Sequence, residues 1–253
     1  MSSAAPAVAR IRAHVGFEVA ALLRNGEQLL VSMVLPLLAL LTLTWAAPGA
    51  LLTGTESNQG DVIASVVPGV LALAVVSTAF TGQAIALGYE RRYGVLRLLG
   101  TTPVGRSGLL IAKAVAVLVV VAIQAVVVAG AGVALGWQVP WAALPAAIVL
   151  LVLAVATFGA AAALLGGSLR AEAVLAFANL LWVLFLGALL LPLAALPPDL
   201  GTAVGYTPPG ALGEGLRAAL VHGEGLGLQY AAVLIAWCLA LSAIAARTWQ
   251  WSD

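Results

Sequence analysis

The sequence predicts an all-α integral membrane protein with six transmembrane helices, an amphipathic N-terminal interfacial helix, and a helical cytoplasmic loop between spans two and three. Three observations carry this. Of 253 residues, 63% are hydrophobic and only 8% charged, and the mean hydropathy is +1.11. Soluble domains run near one quarter charged and half apolar, and a sphere of this size could not hide so much apolar surface from water. The apolar residues also fall into runs close to the roughly 20 that a helix needs to cross hydrocarbon. Finally, the basic residues gather at alternate ends of those runs. The composition excludes a disordered chain, and a net charge of +1 excludes a strongly basic nucleic-acid binder. The bilayer is the expected partner.

Residues 1–28 form the leader. Val8, Ile11, Val15, Val19 and Leu22 share one helical stripe, while Arg10, His14 and Arg24 share another. Such a basic-faced amphipathic helix lies in the headgroup plane. The first span covers about 29–45 and stops at Ala46-Ala47-Pro48-Gly49. It is not read as a signal peptide, because a leader precedes it and more spans follow. The second span covers about 66–89, and the third 109–135, where Gly136 supplies a stop. The fourth, 144–165, precedes Gly166-Gly167-Ser168; the fifth, 173–191, precedes Pro192; the sixth covers 228–246. Residues 1–253 are thus read as one transmembrane domain.

An even number of spans puts both termini on one side. Arg10, Arg12, Arg24, Arg91, Arg92, Arg97, Arg106, Lys113, Arg170 and Arg247 fall there, leaving Arg217 alone opposite. Ten basic residues of eleven on one side make that side, and both termini, cytoplasmic. Glu56, Asp61, Asp199, Glu214 and Glu224 fall outside. Trp45 and Trp137 near outer ends, with Trp249 and Trp251 past the last inner end, suit interfacial anchoring.

The loop over 90–108 is the most informative segment, holding four of the eleven basic residues. Tyr89, Tyr93, Leu96 and Leu99 recur at helical spacing while Arg91 and Arg92 point elsewhere, which predicts a helical elbow with exposed leucines. Gly100 reads as a helix stop. Thr102 before Pro103 reads as an N-cap with proline at the first helical position. A loop needed only to connect two spans could be short and polar, so the elbow reads as a docking surface; anchoring against headgroups is the alternative.

The run Glu90-Arg91-x-x-Gly94-x-Leu96-Arg97-x-Leu99-Gly100-Thr101-x-Pro103-Val104-x-Arg106, closed by Leu109-Leu110-x-Ala112-Lys113, resembles the loop between spans two and three of ABC-type exporter permeases, the membrane subunits of the ABC-two superfamily. The resemblance extends to the six-span plan, the amphipathic leader and the last outer segment. It implies that Glu90, Arg91, Arg92, Tyr93, Gly94, Leu96, Arg97, Leu99, Gly100, Thr101, Pro103 and Arg106 form a coupling helix resting on a cytoplasmic ABC ATPase. It also implies a second permease subunit, identical or related, in a bacterial inner (plasma) membrane. Outward movement of a lipophilic drug or antibiotic follows from the same resemblance, with lipid, glycan or cofactor export as the alternative. At the outer segment Tyr206-Thr207-Pro208-Pro209 replaces the asparagine-proline start usual in the family.

The residues themselves speak to energy supply. A P-loop needs glycines followed by Lys and Ser or Thr, and the one lysine, Lys113, lies between Ala112 and Ala114. This chain is therefore expected to bind no cofactor, with ATP and magnesium carried by a partner ATPase. An ionisable residue at a span centre costs about 2.5–3.5 kcal/mol, and none of the six spans holds one near its middle. Lys113 and Glu172 lie near inner ends, where lysine can snorkel. That disfavours an ion-coupled carrier, which stays open beside a non-transporting scaffold. His14 and His222 fall on opposite sides and cannot share a metal, and Cys238 reads as a packing residue. Ser77, Thr81, Ala84 and Gly88 share a small-residue face suited to close helix packing. Ser77, Thr81, Gln83 and Asn179 are the candidates for a substrate path between spans two and five, and Gln124 has no assignment.

Overall fold

The computed structural model describes residues 6–46, 59–102 and 104–249, and every regular element among them is helical. Helix α1 is Ala7–Arg24. Helix α2 runs through Gly26–Leu29, a π-helical turn at Leu30–Val34, and Leu35–Ala46. Helix α3 runs through Gln59–Val75, a π-helical turn at Val76–Gly82, and Gln83–Arg92. Then come α4 (Val95–Gly100), α5 (Gly105–Ala134), α6 (Leu144–Ser168) and α7 (Ala171–Leu190). The chain closes with α8 (Pro198–Gly205), α9 (Pro208–Leu220) and α10 (Leu228–Thr248). The Pro48-Gly49 stop, Glu56, Pro103 and Trp251 lie outside the described residues, as does the side chain of Arg106.

Among the described residues five helices are long and apolar enough to cross a membrane: Gly60–Arg92, Gly108–Ala134, Trp141–Ser168, Ala171–Leu190 and Leu228–Thr248. These are the second to sixth predicted spans, with ends moved by a few residues. The first predicted span gives an apolar helix too, Ser32–Trp45, but a shorter one. Burial separates the five. The apolar stretch of α3 is 89% buried within the chain, against 17% for α7 and for α10. Helix α3 is thus the central post, and the outer helices turn one side to lipid.

Small residues let the post be enclosed. A Cβ on Gly166 of α6 would lie 2.9 Å from the Ala84 carbonyl oxygen, and one on Gly88 would touch Val174 of α7 at 3.3 Å. The face of Ser77, Thr81, Ala84 and Gly88 therefore packs as helices do in lipid, through van der Waals contact at short range.

The segment before the last long helix folds back into the bundle. Thr207 caps α9, its hydroxyl accepting from Gly210 N at 3.4 Å, with Pro208 and Pro209 filling first-turn positions that need no N–H partner. Threonine thus supplies the capping oxygen here. A side chain at Gly210 would sit 2.1 Å from the Val204 carbonyl oxygen, so only glycine allows the α8–α9 turn. Trp237, near the middle of α10, donates to the Tyr206 carbonyl at 2.9 Å, so the turn reaches far down that helix. Nearly every residue of α9 is buried. Arg217 holds its upper end: Nη2 donates to the Leu189 carbonyl at 2.5 Å and Nη1 to Glu214 Oε1 at 3.2 Å. The same Glu214 oxygen accepts from Leu193 N at 2.6 Å. Burial pulls the guanidinium below its ordinary pKa while Glu214 opposes the shift, and an arginine so placed stays charged.

Two tryptophans depart from the anchoring expectation. Trp137 is buried, packed over Gly132 and linked to it through Trp137 N and the Gly132 carbonyl at 2.8 Å. Trp249 lies against Gly167 at the elbow end. Both fill notches left by glycine, where their apolar area is worth more than at a headgroup surface. Trp45 is exposed.

Candidate functional site

The elbow is built on a glycine. Helix α3 ends at Arg92, and Gly94 adopts a left-handed φ of 71°, which starts α4 in a new direction. The break shifts the helical phase, so the expected exposed stripe of Tyr93, Leu96 and Leu99 does not form as one face. Leu96 is 0% exposed, packed with Leu87 and Leu109 and flanked by Leu99, Ala163 and Trp249. Tyr93, which caps the end of α3, and Leu98 of α4 are 71% and 70% exposed and are what the elbow presents outward, with Arg97 and Thr101 exposed as well. Gly100 ends α4 as expected. The threonines differ. The Thr101 hydroxyl donates to the Leu98 carbonyl at 2.7 Å and that of Thr102 to Leu99 at 2.6 Å, so both close the end of α4. Thr102 does not cap α5, whose helix begins only at Gly105.

Three charged elbow residues turn back to the chain. Arg91 is buried and donates to the Leu169 carbonyl, and Arg92 pairs with Glu172 at the start of α7. Glu90 accepts from Lys113 Nζ at 2.7 Å. Lys113 also lies 2.9 Å from Glu18 of α1, and His14 Nε2 stands 3.3 Å from Glu18. Lys113 and Glu18 are both buried. The lysine therefore does not snorkel: two carboxylates hold it inside, joining the leader, the end of α3 and the start of α5. This also changes the leader. Ile11, Val15, Glu18, Val19 and Leu22 form its inner face against α5, while Val8 and Phe17 are exposed. Glu18 went unread in the sequence, although a carboxylate on an apolar stripe in a chain with one lysine was the available signal.

The middle of α3 carries the second feature. Gln124 of α5 donates to Thr78 Oγ1 at 2.8 Å and to the Ser32 carbonyl at 3.0 Å. Those partners sit in the π-helical turns of α3 and α2, so one carboxamide ties both irregular stretches. From the other side Trp182 Nε1 donates to Ser77 Oγ at 2.8 Å, and Ser77 donates to the Leu73 carbonyl. π-turns concentrate at functional sites and need outside partners for displaced backbone groups. Gln124→Leu is expected to cost about 1–3 kcal/mol through the partners left unpaired, visible as a lower thermal unfolding midpoint in detergent.

Below the α8–α9 turn lies an apolar chamber of about 320 Å³, bounded by Phe80, Phe158, Phe185, Trp237, Thr207 and Pro208. Its three phenylalanines are mutual neighbours with ring centroids 5.7–6.3 Å apart. The four pathway candidates do not converge on it. Ser77 bridges to α7 through Trp182, and Thr81 is buried with its hydroxyl unpaired. Asn179 sits exposed on α7, donating to its own Leu175 carbonyl at 2.8 Å. Gln83 faces the opposite way, into a groove between α5, α6 and α10.

No curated protein gives a significant match to the chain. Residues 27–247 match the family described as ABC-2 family transporter protein. That family's membrane domain has no nucleotide site, and its members work with separate ABC ATPase subunits. A set of long apolar helices around an enclosed post, with a packed helical elbow at one end, suits such a division of labour. The chain belongs to the ABC-2 family of transporter membrane proteins, as a multi-pass permease subunit whose ATP is hydrolysed on another polypeptide.

Proposed function

We propose that this permease exports a lipophilic, drug-like or antibiotic-like substrate, working as one of two permease chains, each with a cytoplasmic ABC ATPase docked on its elbow. Six crossings are proposed, with α2 as the first and both termini cytoplasmic, because ten basic residues then share the inner side. ATP and magnesium belong to the ATPase and no cofactor to this chain. The observation that carries the reading is the exposure of Tyr93, at the end of α3, and Leu98, on α4, either side of the Gly94 bend and backed by a buried Leu96. Exposed aromatic and aliphatic side chains on a folded elbow are the composition of an interface anchor, and the exposed Arg97 suits acidic groups on a partner. Closure of the ATPases would push α4, and the Arg92–Glu172 and Glu90–Lys113 pairs would pass that push to α7 and α5. The chamber of Phe80, Phe158 and Phe185 favours a lipophilic cargo over a glycan, whose hydroxyls would be left unpaired there.

The test is reconstitution with the cognate ATPase in liposomes. ATP hydrolysis should rise on adding the permease, and a lipophilic dye should move only with ATP. Unchanged hydrolysis would make the chain a scaffold; dye movement on a proton or sodium gradient without ATPase would make it a carrier.

A further inference from the structure

The groove facing Gln83 measures about 460 Å³ and lies near the elbow, between α5, α6 and α10. Its floor is Gly159, Ala160 and Ala163 of α6, side chains too small to fill the gap, and Val117 with Leu118 of α5 forms one wall. Leu110 and Ser242 at its edges are exposed, so it opens to the lipid side. Such a volume is in the range of roughly 300–1,000 Å³ typical of small-ligand sites.

Small residues alone would indicate only a packing notch; the polar groups indicate more. Gln83 is 6% exposed and its side-chain amide makes no hydrogen bond to any described residue, yet it lines the groove. An amide that meets an apolar groove without a protein partner is costly to keep there, so the position favours a ligand that supplies one. Lys113 also reaches the groove, already shared between Glu18 and Glu90. Glu90, one turn beyond Leu87, keeps Oε2 buried and unpartnered. Of this cluster Lys113 alone is a lining residue, and with two carboxylates around its ammonium this end of the groove is poor for an anion.

We propose that the groove binds an amphiphile drawn from the elbow-side leaflet. One hydrocarbon chain lies on the α6 floor, and a hydrogen-bond-donating head, neutral or cationic, meets Gln83. The site deepens the export reading by naming a ligand class, and it depends on neither the ATPase nor transport.

The full chain in phosphatidylcholine nanodiscs, with no ATPase, is labelled by dodecylamine bearing a terminal diazirine, and adducts are mapped by mass spectrometry. Saturable adducts on α5, α6 and α10 around the groove, displaced by dodecylamine and not by dodecanoate, are the expected result. Gln83→Leu should weaken binding about tenfold, the worth of one hydrogen bond. Ala160→Phe, which fills the floor and leaves Gln83 in place, should abolish it. Non-saturable adducts spread over the lipid faces of α7 and α10 would overturn the site. Equal displacement by dodecanoate would overturn the head chemistry, and unchanged affinity in both variants would overturn the placement. A negative result here with intact ATPase stimulation would leave the coupling reading standing.

Discussion

Lys113→Met is expected to destabilise the chain by about 3–5 kcal/mol, the range for removing one partner of a buried ion pair. The substitution leaves Glu18 and Glu90 facing the space where the ammonium was, with Glu18 buried and, among the described residues, His14 as its remaining ion-pair neighbour. Packing of α1 on α5 should fail first, because Glu18 is its polar tie. Limited proteolysis of the leader and the thermal midpoint in detergent both read this. The triple variant Glu18→Gln, Lys113→Met, Glu90→Gln removes all three charges and should recover most of the loss, since apolar or neutral replacement of a whole buried ion cluster is often close to neutral. A single-site cost within about 0.5 kcal/mol, typical of exposed positions, would show that water screens the cluster and that it does not hold the leader.

Tyr93→Ala with Leu98→Asp is expected to cut stimulation of the partner ATPase about 30-fold or more, equivalent to losing an interface anchor worth roughly 2 kcal/mol. Both side chains are exposed and make no part of the elbow's own core, so thermal stability and membrane insertion should stay unchanged. Leu96→Asp is the contrasting case. It places a carboxylate among Leu87 and Leu109, and the elbow itself should unfold, with the thermal midpoint falling along with activity. Co-purification and hydrolysis rates separate the two outcomes. Full stimulation by the Tyr93/Leu98 double variant would remove the docking face from the elbow.

The difference between Leu96 and Leu98 shows where the sequence is legible and where it is not. Helical spacing correctly marks a short amphipathic helix after the second long apolar stretch, and Gly100 correctly marks its end. Which leucine faces outward depends on the angle at which α4 leaves α3, and that angle is set by the left-handed Gly94. A phase carried through Tyr93 as if the helix were continuous places Leu96 outside. The same holds for Thr102: the residue pair before α5 has the form of a cap, but its hydroxyl has a nearer acceptor in Leu99.

The pathway candidates teach a related lesson. Polar residues in apolar helices stand out in a sequence because their insertion is costly, which is why Ser77, Thr81, Gln83, Asn179 and Gln124 could be picked out at all. Their partners are 46 to 105 residues away where they have any across helices, as in Gln124 with Thr78 and Trp182 with Ser77. Such pairings follow from how helices rotate against one another. A one-dimensional pattern gives each helix a face without saying which neighbour meets it.

Composition and the period of apolar residues determined by themselves that the chain is helical and lipid-embedded, where its long helices lie, and that its energy must come from elsewhere. Those properties are local or additive: transfer of apolar length into hydrocarbon, backbone bonds closed within each helix, and the lack of any phosphate-binding loop. Tertiary structure alone decided that α3 is the enclosed post, that Lys113 is held by two acids, and that α9 folds back beside α10. It also decided that Gln83 looks into a groove away from α7. These depend on contacts between distant residues, where glycine-sized gaps and single buried charges choose one packing among many with the same hydropathy.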